Sequence, residues 1–437
     1  MTVKKSPAVS MGLLLGVVMG LIVVASCGGG SSSSTSTTTT TPPPSASNAV
    51  DVEVNLGPTG DYVDGIFTSV QVCAPGSTTN CVAIPNVLVD TGSSGLRLLS
   101  GALGSLSLPA VTDSSGNDVQ ECVQFLSLAY IWGPVVQADI HLSGETASSA
   151  AIHIISESPS PPNPPTSCLS LGTSGAVDYN SLSALGANGI LGVGNLPTDC
   201  TSSCTSTGNC TTPCTSAANE IPMYYSCPNG NCQIASVPLS GIVTNPVSLF
   251  SQDNNGVLIS LPSVPALGAA TASGSLIFGI GTQSNNALGS AKIYAVDDNI
   301  DFTTTYNGTE YSDSFIDSGS NGLYFLDYAT LGTIECTDMF GNPTGFYCPP
   351  VTLNFTVTNS GTNGTSGSVS FSIANADSLF NTGFAAFNNL GGDSGTSPAT
   401  DYFDFGVPFF FGRNVFTGIA GTTVPNGVSA PYGYWAY

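Results

Sequence analysis

Two segments of this 437-residue chain carry nearly the same text. Val89-Asp90-Thr91-Gly92-Ser93-Ser94-Gly95-Leu96 and Ile316-Asp317-Ser318-Gly319-Ser320-Asn321-Gly322-Leu323 each run an apolar strand into Asp-Thr/Ser-Gly-Ser and leave on Gly-Leu. Taken singly, such a string is only a good turn, because Asp and Gly both favour tight backbone conformations. Two copies 227 positions apart point to two similar lobes, each presenting one carboxylate. Carboxylates that meet across a lobe interface hold and activate a single water.

The repeat extends beyond the two loops. Asn188-Gly189-Ile190-Leu191-Gly192-Val193-Gly194 places an apolar pair before Gly192, 102 residues after Asp90. Such a pattern packs a strand beneath a crowded site, because only glycine lets another backbone approach closely. Phe409-Phe410-Phe411-Gly412-Arg413-Asn414-Val415-Phe416 reads as its counterpart, with Gly412 95 residues after Asp317. The order Asp motif, then apolar-apolar-Gly, thus occurs twice as an internal repeat. Between these landmarks the chain reads as strands: Val52, Val54 and Leu56 alternate with polar residues, and 122–155 forms a long hairpin system. With 51 Gly, 29 Pro and no long amphipathic helical pattern, the fold class is all-β. The lobe boundary is expected between Asn245 and Asp253, which gives lobes over 50–250 and 251–437.

Lys and Arg number 5 against 28 Asp and Glu, a formal charge of −23. Nucleic-acid binding requires a basic footprint that this chain lacks. So few cations repel little when carboxylates neutralise, so the composition suits work in acid, as it also suits a merely soluble acidic protein. The two histidines, His141 and His153, fall on alternating strand patterns with no Ser or Cys motif beside them. A nucleophile–His hydrolase is therefore disfavoured, and Gly92-Ser93-Ser94-Gly95 is not a G-x-S-x-G elbow.

The N-terminus reads as targeting sequence over 1–26. Lys4 and Lys5 precede an apolar run from Met11 to Ala25, followed by Val24-Ala25-Ser26-Cys27. This resembles the bacterial lipobox, which implies cleavage before Cys27 and acylation of its thiol. Gly28 next to it resembles outer-membrane sorting, so the expected location is the cell envelope, with a lipid anchor at Cys27. A plain secretory signal would instead release the protein. Residues 27–49 are rich in Gly, Ser, Thr and Pro and read as a tether. Twelve further cysteines suit up to six disulfides in an exported protein. Cys73 with Cys81, Cys227 with Cys232 and Cys336 with Cys348 are the local pairs. Cys200, Cys204, Cys210 and Cys214 lie in a dense insert at 200–232 whose spacing does not suit a metal site.

The chain resembles the bilobal, pepsin-like aspartic peptidases and, among them, a branch of bacterial exported lipoproteins. Asp90-Thr91-Gly92-Ser93-Ser94 matches that family's first catalytic motif, and Asp317-Ser318-Gly319-Ser320 its second. Gly189–Gly194 resembles its glycine-containing strand in the first lobe, Phe410-Phe411-Gly412 the partner in the second, and Gly274–Gly279 the strand opening the second lobe. The resemblance implies an all-β fold of two lobes with an interlobe sheet and a central cleft. It implies that Asp90 and Asp317 are catalytic and share a proton and a water. Thr91 and Ser318 would tie the loops together, Gly92 and Gly319 would let backbone N–H groups reach the carboxylates, and Ser93 and Ser320 would orient the outer oxygens. No metal or organic cofactor is needed, and the substrate would be a peptide or unfolded protein met by a monomer.

Departures from the family are informative. The flap of the first lobe carries a Tyr-Gly pair in the family, whereas this chain reads Phe125-Leu126-Ser127-Leu128-Ala129-Tyr130-Ile131-Trp132-Gly133. Tyr130 and Trp132 are the candidates for covering the cleft, with ordinary aromatic packing as the alternative. Arg97, just after the first motif, is expected to pair with a surface carboxylate or else to line the cleft. Two functions follow: an envelope-anchored aspartic endopeptidase, or a pepsin-like lipoprotein that binds or scaffolds without turnover. A glycosidase fits poorly, since two copies of one loop do not set two acids at different heights on a sugar cleft.

Overall fold

The computed structural model describes residues 47–125, 127–157, 162–169, 176–200, 215–216, 221–338, 340–394 and 402–437. The signal segment, Cys27 and most of the tether lie outside these residues, as do Cys204, Cys210 and Cys214 of the insert. The fold is all-β and two-lobed. No helix among the described residues is long and apolar enough to cross a membrane.

Each lobe is organised around one repeated unit. In the first, Cys81–Asp90 delivers Asp90 to its C-terminal end and Ser94–Leu99 carries the chain away. Gly189–Val193 lies between them, parallel to the former with Asp90 opposite Gly192, and antiparallel to the latter. In the second, Thr309–Ile316 leads into Asp317, Leu323–Phe325 leaves, and Asp404–Phe405 lies between them, again parallel to one and antiparallel to the other. The crossing is tight. A Cβ on Gly192 would sit 2.8 Å from the Ser94 backbone, and one on Gly406 only 2.2 Å from the Gly322 carbonyl oxygen, so both positions require glycine.

This register corrects the sequence reading of the second repeat. The counterpart of Ile190-Leu191-Gly192 is Asp404-Phe405-Gly406, not Phe410-Phe411-Gly412. Phe409 and Phe410 instead fill the core at the end of a short 3-10 turn, Val407–Phe409. An acid occupies the position where the first repeat has Ile190, so the apolar pattern breaks and the next run of aromatics draws the eye.

The two halves share one sheet. Ala49–Asn55 pairs antiparallel with Ala272–Phe278, followed in order by Gly256–Ser260, Asn414–Gly418, Tyr434–Ala436 and Ile293–Ala295. Strands from both sides of residue 250 therefore belong to one 16-stranded sheet, while a nine-stranded sheet gathers the strands between Phe302 and Phe405. Side chains add ties. Asn195 Nδ2 donates to the carbonyls of Gly418 (2.9 Å) and Tyr434 (3.0 Å), and Asp64 Oδ1 accepts from the Phe387 N–H at 2.7 Å. In the second lobe Phe325 stacks on Phe403 with centroids 5.0 Å apart and meets Phe355 and Phe371 edge-on.

The three local disulfides, Cys73–Cys81, Cys227–Cys232 and Cys336–Cys348, are formed. A fourth joins Cys122 to Cys168, 46 residues later, and fastens the hairpin at 119–142 to the short helix Thr166–Leu169. Because it closes the longest loop of the four, replacing both cysteines by Ser is expected to cost about 2–4 kcal/mol. The urea midpoint of the double variant measures this; a midpoint equal to that of the unsubstituted protein would refute it.

Arg97 is neither at the surface nor in the cleft. It is 2% exposed, and its Nη2 donates to Asp199 Oδ2 at 2.8 Å and Glu121 Oε1 at 3.2 Å. His153 lies on the strand Glu145–Ile155, fully buried, with Nδ1 3.4 Å from Glu121 Oε2. Burial and the neighbouring guanidinium push its pKa well down, so this imidazole is neutral.

Candidate active site

The two Asp loops face each other and interlock by exchange. The Thr91 N–H donates to Ser318 Oγ at 3.0 Å, and the Ser318 N–H donates to Thr91 Oγ1 at 2.9 Å. Each hydroxyl then reaches the strand beneath the opposite loop: Ser318 Oγ donates to the Val89 carbonyl at 2.8 Å, and Thr91 Oγ1 to that of Ile316 at 3.3 Å. Thr91 and Ser318 are buried, so their hydroxyls satisfy backbone groups that water cannot reach.

Above this crossing stand the carboxylates. Asp90 Oδ1 accepts from the Gly92 N–H at 2.7 Å and Oδ2 from Ser93 Oγ at 2.5 Å. Asp317 Oδ1 accepts from the Gly319 N–H at 2.7 Å and Oδ2 from Ser320 Oγ at 3.0 Å. The Gly92 N–H also lies 3.1 Å from Asp317 Oδ1, so a single amide touches both acids. A Cβ on Gly92 would lie 2.6 Å from Asp317 Cγ, and one on Gly319 2.7 Å from Asp90 Oδ1. Any side chain at either position would drive a wedge between the acids.

Burial pushes the Asp317 pKa well up, and the charges of Asp90 and Asp404 push it further. The pair therefore shares one proton rather than ionising twice. Asp404 escaped the sequence reading. It stands behind Asp317 with its Oδ2 2.6 Å from Ser320 Oγ. Tyr62 was missed as well. Its phenol pKa is pushed up by burial first, then by Tyr179, Asp90 and Asp317, which places it where the charge of the dyad is felt. Neither residue carries a motif; only the folded arrangement brings them to the site.

The covering role considered for Tyr130 and Trp132 does not fit their surroundings. Both side chains are buried in a cluster with Cys122, Cys168 and Tyr225. Trp132 Nε1 donates to the Pro162 carbonyl at 2.8 Å, and Tyr130 Oη lies 3.1 Å from Asp178 Oδ2. The physical reason is an extra strand, Tyr224–Ser226, which pairs with Val119–Gln124 and brings Tyr225 edge-on against Trp132. The hairpin turn instead carries Phe125, half-buried in the same apolar cluster as Tyr62 and Tyr179.

Buried acids give the protein a defined pH response. Burial raises the pKa of Asp64, Glu121, Asp317 and Asp404 well above the ordinary carboxylate range. A raised acid binds more protons in the folded than in the unfolded state, so its contribution is complete below the unfolded value and is lost as pH rises through the folded one. Two effects oppose this at the acid end. His153, with its lowered pKa, destabilises as pH falls below its ordinary value. Asp113, held at about 2 chiefly by the Ser226 hydroxyl, loses its contribution as pH falls toward that value. Stability is therefore expected to peak between about pH 4 and 6 and to fall toward pH 8. Thermal melts across that range test the sign; a midpoint higher at pH 8 than at pH 5 would contradict it.

The family described as "Protein of unknown function (DUF3443)" matches residues 44–437. The chain belongs to this family. No curated protein matches the DUF3443 chain. Among solved structures, the aspartic proteinase from Irpex lacteus aligns with 89% of the DUF3443 chain and 96% of its own, at 14% identity and a TM-score of 0.45.

Proposed function

We propose that this DUF3443 protein is an aspartic endopeptidase that hydrolyses peptide bonds in extended or unfolded chains. The observation that carries the reading is the single Gly92 amide that touches both carboxyl groups. The ionised member of the Asp90–Asp317 pair takes a proton from a water as the water attacks the scissile carbonyl. The protonated member donates a hydrogen bond to the developing oxyanion, and a proton then reaches the leaving amine. The crossed Thr91 and Ser318 hydroxyls fix the separation on which this division of labour depends.

The wider organisation is proposed from the sequence. Residues 1–26 act as a lipoprotein signal, Cys27 carries the lipid, 27–49 tether the enzyme to the cell envelope at the outer membrane, and a monomer with lobes over 50–250 and 251–437 does the work.

The test is proteolysis of an unfolded protein substrate across about pH 3 to 7, with and without a statine-type transition-state inhibitor. Cleavage that the inhibitor abolishes supports the reading. A folded protein that cleaves nothing anywhere in the range would overturn it and leave a binding or scaffolding role.

A further inference from the structure

Asp404 occupies, in the second lobe, the register position of Ile190 in the first. The difference changes what the neighbouring serine does. Ser93 Oγ donates to Asp90 Oδ2 at 2.5 Å, and the position equivalent to Asp404 there is the aliphatic Ile190. Ser320 Oγ lies between two carboxyl oxygens, 3.0 Å from Asp317 Oδ2 and 2.6 Å from Asp404 Oδ2. A hydroxyl carries one hydrogen and a carboxylate carries none. If Ser320 donates to one acid, the other contact is a hydrogen bond only when that acid brings a proton of its own.

The surroundings say which acid brings it. Asp404 is 2% exposed, and its Oδ1 is buried without a hydrogen-bond partner. The titratable groups that face it are Asp317 and Asp90 from the two loops, Tyr324 from Leu323–Phe325, and Tyr402 two residues before it, with Asp393 beyond. None is a cation. Among the described residues, Arg97 is committed to Glu121 and Asp199, Lys292 to the Ser366 carbonyl, and Arg413 to the carbonyls of Phe409 and Ser370. An ionised Asp404 would be a buried charge with no counter-ion, whereas a neutral one needs fewer partners.

We propose that Asp404 is a third carboxyl of the site, which in the working enzyme is protonated and donates to Ser320 Oγ, while Ser320 passes its own hydrogen to Asp317 Oδ2. The working form then carries two protons over three carboxyls, one on the dyad and one on Asp404. When Asp404 loses its proton to water, the chain reverses. Ser320 turns to the new carboxylate, and Asp317 loses its outer donor and gains a second negative neighbour. Asp404 is thus a positioning residue acting through Ser320, and its ionisation sets the alkaline limit of the dyad. The functional half of this statement rests on the peptidase reading; the proton chain does not.

Two readouts keep them apart. The first is carbon-13 NMR of aspartate carboxyls across about pH 3 to 9 in the unsubstituted protein, in Asp404→Asn and in Ser320→Ala. The expected result is an Asp317 signal that moves in two coupled steps, one of which is lost in Asp404→Asn and weakened in Ser320→Ala. The second is the pH profile of kcat/KM on an unfolded protein. Asp404→Asn keeps an N–H donor for Ser320 but cannot ionise, so its alkaline limb is expected to move up by about one pH unit, a tenfold gain on that flank relative to its own maximum. Asp404→Ile, which installs the residue of the first lobe, serves if the Asn variant fails to fold. A folded variant whose Asp317 titration and alkaline limb superimpose on those of the unsubstituted protein would overturn the proposal. If the unsubstituted protein shows the coupled titration yet cleaves nothing, the proton chain stands and the peptidase reading falls.

Discussion

Asp90→Asn and Asp317→Asn are each expected to lower cleavage of an unfolded protein by about 10²–10⁴-fold. Asn has the shape of Asp, so the loops keep their backbone course and the crossed Thr91 and Ser318 hydroxyls keep their partners. What changes is the proton inventory. An amide at position 90 would accept from Gly92 or Ser93 through its one oxygen, but it cannot take a proton from water. An amide at position 317 donates a hydrogen bond but cannot deliver a proton to the leaving amine. Both variants are expected to keep the far-UV spectrum and thermal midpoint of the parent near pH 5, which separates lost chemistry from lost fold. A variant that is folded and retains parental activity would mean that its acid has no part in the reaction.

Arg97→Met is the expected large loss of stability, about 3–5 kcal/mol. The guanidinium sits among Glu121, Asp199, Tyr224 and the neutral His153, all buried in the first lobe. Burial raises the pKa of both Glu121 and Asp199, and the guanidinium beside them opposes it, so the arginine is what makes negative charge tolerable here. Removing the arginine leaves Asp199 with no counter-ion and strips donors from both acids. The Ser94 and Gly95 carbonyls, which accept from Nη1 at 2.7 and 3.3 Å, also lose a donor. Those carbonyls belong to the strand that leaves the Asp90 loop, so activity is expected to fall along with stability. Chemical denaturation measures the first and proteolysis the second. A loss under about 1 kcal/mol would mean that water enters and solvates the acids.

How much of this was written in the sequence depends on whether residue type or residue environment carried the information. The Asp loops were legible because the chemistry demands particular residues at fixed offsets, and the duplication removed the ambiguity of a single turn. The three short-range disulfides were legible because a short loop leaves few other partners. Cys122–Cys168 was not, since nothing in a 46-residue separation selects one partner over another. The strand pattern marked 122–155 as a hairpin system but could not say that Tyr224–Ser226 would pair with its first strand and bury Tyr130 and Trp132. Arg97 was misread and Asp404 passed over for one reason. An ionisable side chain usually marks the surface, and here two of them occupy positions that the strand pattern reserves for apolar ones. Departures of that kind tend to gather where a fold does chemistry.

The shared sheet has a consequence for cooperativity. The pairing of Ala49–Asn55 with Ala272–Phe278, and of Gly256–Ser260 with Asn414–Gly418, means that neither half can open without leaving a bare strand edge on the other. The apolar core does not stop at the boundary either, and runs from Val52 through Ile316 to Trp435. Two lobes joined by a linker would melt as two independent units, each with its own heat absorption. Here the join is part of what each lobe is made of, and a single calorimetric transition is expected, with two resolved peaks as the contrary result. Motion that opens the cleft is then a bending of one continuous sheet rather than a swing about a flexible joint.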